Sequence, residues 1–331
     1  MSSSGIILIQ QANDAAIFIQ PIHLTLTIVT NTLNIFILSR RTLRPFPCTH
    51  YFLVYSIFSI LYACFTCPLQ FLRSYGILWT NTPVGCRMQT YIFQTTTSIA
   101  NLMILLASID RFCSSSQSVK LRSISNMKIT RWMIFIGIIL YTIFMSPLMA
   151  ISYWNNRCLQ YSNIYITIYM SSQITVYYGL TLLMMALFSL LTIFNIRQQL
   201  TRVRAIIRSN RNQRTEGQLS RMLLVQTIAY LLFTFPIGVI QILLIFLPSM
   251  RTPLIQGLQM IFVMWQQCIF FLSFFLFIAS GSIYRQEMIR LFKRMYKHDD
   301  LTQIHTHTMQ PLPRGTNTRQ ILATTKIETF A

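Results

Sequence analysis

Asp110 and Arg111 stand side by side at the end of a run, Met88 to Ile109, that holds no other charge. Ionisable residues are costly in hydrocarbon and are kept at membrane depth for function. An adjacent acid and base can make and break an ion pair, so the chemistry on offer is a switch. The bland alternative is a boundary arginine that snorkels toward lipid headgroups. Residues for bond-making chemistry are poorly arranged. His23, His50, His298, His305 and His307 are scattered, no His/Cys set has metal-ligand spacing, and no Ser/His/Asp set sits on a recognisable elbow. No enzyme activity, cofactor or metal is expected. Seven cysteines are too few for a disulfide scaffold, and an odd number leaves at least one unpaired or paired between chains.

The elements that must position this pair follow from the spacing of Asp, Glu, Lys and Arg. Charge-free runs extend over Ala15–Ser39, Pro45–Leu72, Met88–Ile109, Trp132–Asn156, Cys158–Ile196, Met222–Met250 and Thr252–Tyr284. Each exceeds the roughly 20 residues a helix needs to cross about 30 Å of hydrocarbon. Backbone groups in lipid must bond internally, so each run is expected to be a helix; the ~10-residue alternation of a transmembrane barrel is absent. The polar stretch from Asn155 to Asn163, which takes in the start of the fifth run, reads as loop. The predicted class is an all-α membrane protein: a seven-transmembrane helix bundle with spans at 21–39, 50–72, 86–110, 132–152, 165–196, 222–247 and 256–284. A short amphipathic helix is expected at 285–297, where Met288, Leu291, Phe292 and Met295 share one face, followed by a tail, 298–331.

Composition agrees. The 331 residues are 53% hydrophobic and 10% charged, with mean hydropathy +0.51. That is too few charges to coat a soluble globule. The net charge of +20 could point to nucleic acid, but its distribution explains it otherwise. Of 27 Lys and Arg, 23 lie in one set of connections and the tail, and only Arg73, Arg87, Arg157 and Arg251 lie in the other. The basic set belongs in the cytosol, which places residues 1–20 and the N-terminus outside and the C-terminus inside, with no nucleic-acid partner. Residues 1–20 carry Asp14 but no Lys or Arg, so the first span is expected to act as its own insertion signal.

Several motifs carry a family resemblance. Ser108-Ile109-Asp110-Arg111-Phe112 resembles the Asp-Arg-Tyr motif of rhodopsin-like (class A) G-protein-coupled receptors, with Phe for Tyr, and Cys86 lies 25 residues earlier, as that family's third-helix cysteine does. Thr30-Asn31-Thr32-Leu33 resembles the first-helix Gly-Asn-x-Leu. Trp79, Trp132 and Pro236 match the family's outer-loop tryptophan, fourth-helix tryptophan and sixth-helix proline. Ser280-Gly281-Ser282-Ile283-Tyr284 is similar to a degraded Asn-Pro-x-x-Tyr. The departures mark a divergent member: Ile60 stands where a second-helix aspartate is usual, Thr234 replaces the sixth-helix tryptophan, Gly281 replaces the seventh-helix proline, and the fifth span lacks proline.

The resemblance implies roles. Arg111, held by Asp110 at rest, would be released to meet a heterotrimeric G protein. Glu216, the lone acid of the third inner loop, would lock the third helix to the sixth; a solvated loop acid is the alternative. Tyr284 completes the switch set. Cys86 and Cys158 would form a disulfide between the third helix and the second outer loop. Phe93 stands where amine receptors carry aspartate, and Phe274 where opsins carry the retinal lysine, which excludes a Schiff-base pigment. Phe93, Gln94, Thr97, Gln266, Gln267 and Phe270 are the candidate pocket, suited to a peptide or small neutral ligand, although residues of these types at such positions are more often helix–helix packing than ligand contacts. Threonines 306, 308, 316, 318, 324, 325 and 329 of the tail offer sites for a receptor kinase and arrestin. The expected protein is a plasma-membrane receptor. A transporter or channel, and a non-signalling relative of the receptors, remain the rival readings.

Overall fold

The computed structural model describes residues 3–77, 79–154, 157–158, 164–203, 211–291 and 293. Met1–Glu287 form one compact unit and Met288–Ala331 a second. Within the first unit run α1 (Ser3–Leu38), α2 (Pro47–Ser74), α3 (Pro83–Ser114), the short α4 (Val119–Ile124), α5 (Met127–Met145) and α6 (Pro147–Ile151). A two-residue hairpin follows, β1 (Tyr153–Trp154) against β2 (Arg157–Cys158). The order continues with α7 (Ile164–Ile174), α8 (Thr181–Val203), α9 (Arg211–Phe246) and α10 (Pro253–Ser280). Residues 282–291 are again helical. Seven of the described helical segments are long and apolar enough to cross a membrane, and the chain is a multi-pass membrane protein.

The helices form a bundle that closes on itself, α1 meeting both α2 and α10, with α5 packed on α3 and α2. α3 touches α2, α5, α8 and α9 and is the centre: 61% of its most apolar window is buried, against 11% for the fourth span. Outward faces carry Phe36, Phe135, Leu140, Leu183, Phe194, Leu232 and Phe235, an apolar surface that only lipid would cover at low cost.

Local chemistry explains the helix starts. Thr82 caps α3, its Oγ1 accepting from Gly85 N at 3.1 Å, and Thr252 caps α10 by accepting from Ile255 N at 3.4 Å; Pro83 and Pro253 follow at the first helical position. Pro147 separates α5 from α6, whereas Pro21, Pro68 and Pro236 lie inside continuous helices.

Two features differ from the sequence expectation. α1 starts at Ser3, well before the span expected from residue 21. Its early turns pack on α10, because Gly257 leaves room for Leu8 (a Cβ there would lie 2.9 Å from Leu8 Cγ) and because Ala12 and Ala16 meet Met264. The fifth span is interrupted by a π-helical turn, Thr175–Leu180. Thr181 Oγ1 donates to the Val176 carbonyl at 2.7 Å, across five residues, which helps satisfy the widened ladder.

Candidate functional site

The Arg111 side chain lies at the far end of α3 from Cys86, about 37 Å along the axis at ~1.5 Å per residue. It is 1% exposed, the largest fully buried side chain described. Its Nη2 donates to Asp110 Oδ2 at 2.8 Å and its Nε to the same oxygen at 3.3 Å. The other carboxylate oxygen, Asp110 Oδ1, accepts from Ser125 Oγ at 2.7 Å, which ties the acid to the segment between α4 and α5. A buried pair of this kind holds its geometry through hydrogen bonds, since attraction alone barely offsets desolvation.

At the same end of the bundle, α9 and the end of α10 are drawn together. Gln218 Oε1 accepts from the Ile283 backbone N at 2.9 Å. Gly281 lets Met222 close in, since a Cβ on it would lie 2.6 Å from Met222 Sδ. Tyr284 is fully buried, with its ring against Phe274 and Phe277, and its hydroxyl donates to Asn34 Oδ1 on α1. Glu216 falls in α9, but its side chain lies outside the described residues, as do the tail threonines.

Amides tie the middle of the bundle. Gln267 Nε2 donates to Gln70 Oε1 at 3.1 Å and to Tyr62 OH at 3.3 Å, while Gln20 Nε2 donates to Gln70 Oε1 at 2.6 Å and Gln267 Oε1 at 3.1 Å. His23 Nδ1 lies 3.2 Å from Gln267 Oε1. Asn31 Nδ2 donates to the Phe270 carbonyl at 2.9 Å. These bonds join α1, α2 and α10, the role polar side chains play between helices in lipid.

The six expected pocket residues lie at this level and are mostly engaged in packing. Tyr62 stacks near Phe270 (centroids 4.5 Å apart) and Phe93 (5.6 Å). Gln266 Nε2 donates to Tyr177 OH at 3.4 Å, and Tyr177 OH lies 3.0 Å from Tyr230 OH; the π turn carries that tyrosine. Thr97 Oγ1 bonds back to the Phe93 carbonyl, and Gln94 is half-buried on α3.

A cavity of about 510 Å³ opens nearer the Cys86 end, and none of those six residues lines it. Its polar wall is Asn13, Gln70, Arg73, Arg251, Gln256 and Gln259. Gln70 stands eight residues beyond Tyr62 on α2, some 12 Å closer to that end. Cys158 also borders the cavity and is joined to Cys86 by a disulfide, with Cα atoms 5.7 Å apart. Trp79 covers the start of α3: a Cβ on Gly85 would lie 2.2 Å from the Trp79 carbonyl oxygen. Arg73 and Arg251, which line this cavity, are not among the expected pocket residues. The available signal was their rarity, as two of only four bases in the poorly charged connections.

The family described as 7 transmembrane receptor (rhodopsin family) matches residues 30–286, most of the chain. The match takes in Asn31, Cys86, Asp110, Arg111 and Tyr284. No curated protein matches the sequence.

Proposed function

Since the chain belongs to the rhodopsin family of seven-transmembrane receptors, we propose that it is a plasma-membrane receptor that passes an extracellular signal to a heterotrimeric G protein. The Cys86 end faces outward, where an oxidising environment suits the disulfide, and the Arg111 end faces the cytosol. A peptide or small molecule enters from the Cys86 end, its deeper part meeting the level of Phe93, Gln94, Thr97, Gln266, Gln267 and Phe270. Receptor kinases and arrestin would act on the tail threonines.

The observation that carries the reading is the buried Asp110–Arg111 pair at the same end of the bundle as a closed junction of α9 with residues 281–283. Activation separates that junction and swings α9, which carries Glu216, away from Arg111 and exposes a cavity to the G protein. The bonds concerned are few and individually worth about 1 kcal/mol, so a ligand with modest differential affinity can shift the balance.

Nucleotide exchange on a panel of purified heterotrimeric G proteins tests this. The receptor should accelerate exchange on at least one, and Arg111→Ala should reduce that acceleration more than tenfold while leaving surface density unchanged. Acceleration indifferent to Arg111→Ala removes the role given to that arginine. Solute or ion flux without exchange favours a transporter.

A further inference from the structure

The cavity near the Cys86 end carries positive charge in an otherwise neutral lining. Two of its lining residues, Arg73 and Arg251, are cationic, and no acid lines it. Arg73 meets no acidic side chain among the described residues. Asp14, next to cavity-lining Asn13 on α1, is exposed and outside the lining. Arg251 is fixed in place, its Nε donating to the Leu244 carbonyl at 2.9 Å. Ala12, Ala16, Met260, Val263 and Met264 add apolar lining from α1 and α10. The volume, about 510 Å³, suits a small molecule or the end of a chain rather than a folded protein.

We infer that this cavity binds an amphipathic organic anion, its oxyanion head held by Arg73 and Arg251 and its apolar body lying along the α1–α10 wall. Guanidinium forks match carboxylate and phosphate oxygens with paired hydrogen bonds, and low-dielectric walls strengthen the field that draws an anion in. Gln70, which lines the cavity, also accepts from Gln20 and Gln267, so the head group arrives where α1, α2 and α10 are tied together. A signalling consequence rests on the receptor reading; binding does not.

The test is thermal unfolding of the purified full chain in detergent, with octanoate, octyl phosphate, octan-1-ol and octylamine below their micellar concentrations. N-acetyl-Leu-Leu with a free and an amidated C-terminus forms a further pair. At least one of the three acids should raise the unfolding midpoint while the alcohol, amine and peptide amide do not; which acid acts separates a lipid-like source from a peptide terminus. Arg73→Gln should weaken the apparent affinity about tenfold, the loss of one charge-assisted pair, without lowering the ligand-free midpoint. Arg73→Glu should transfer the response to octylamine. Equal stabilisation by octan-1-ol, no stabilisation by any acid, or an Arg73→Gln protein that responds as before would overturn the inference. Nucleotide exchange on the same preparations keeps the two ideas apart: acid binding without exchange counts against the receptor reading alone.

Discussion

At one end of the bundle a covalent bond, Cys86–Cys158, holds the hairpin to α3, and Trp79 caps the helix start against Gly85; at the other, the ties described are non-covalent, an ion pair within α3 and hydrogen bonds that join α3 to the segment before α5, α9 to residue 283 and Tyr284 to α1. The first arrangement is permanent and encloses a ready cavity, so that end can receive a ligand without rebuilding itself. The second is reversible at every point: Asp110 with Arg111 and Ser125, Gln218 with the Ile283 N–H, Tyr284 with Asn34. A molecule that must read one side of a membrane and change shape on the other needs this asymmetry. Packed interfaces then move between discrete arrangements instead of deforming smoothly.

The asymmetry is broken most severely by removing the covalent tie. Cys86→Ser or Cys158→Ser should cost roughly 2–5 kcal/mol, read as a lower unfolding midpoint and depleted surface receptor. Gly85→Ala should come next, at about 1–3 kcal/mol, because the new Cβ would meet backbone oxygen of Trp79 that cannot swing aside. Both changes should act on folding, leaving exchange per folded receptor near normal.

Changes at the Arg111 end should do the reverse. Gln218→Leu leaves the Ile283 N–H without its acceptor, a loss near 1 kcal/mol that should raise ligand-free exchange about fivefold with little change in unfolding midpoint. Ser125→Ala removes the donor to Asp110 Oδ1 and should have the smallest effect, about 0.5–1 kcal/mol, read as a two- to fivefold change in ligand-free exchange. If the first pair altered exchange and the second altered folding, the division of labour between the ends would be wrong.

Much of this was legible in the residues. Hydrocarbon excludes charge so strongly that gaps between Asp, Glu, Lys and Arg mark the spans, and Asp110–Arg111 stands out because it interrupts that rule. Other features leave little trace along the chain. The π turn at Thr175–Leu180 is a shift in backbone bonding that no residue type demands. The cavity draws Asn13, Arg73 and the pair Arg251 and Gln256 from three separate stretches, so only the closed ring of helices shows that they share a cavity. Of the expected pocket residues, Phe93, Gln266, Gln267 and Phe270 meet neighbouring helices near Tyr62 and Tyr177, contacts that their residue types alone do not specify. Gly281, which the sequence presents as a lost proline, turns out to admit Met222.

The most direct measurement is the distance between spin labels introduced through unnatural amino acids at Arg44 and Arg221, taken on the receptor alone and in complex with nucleotide-free G protein. The account predicts that the distance lengthens in the complex as α9 leaves the residue-281 junction. A distance unchanged by a bound G protein would contradict it.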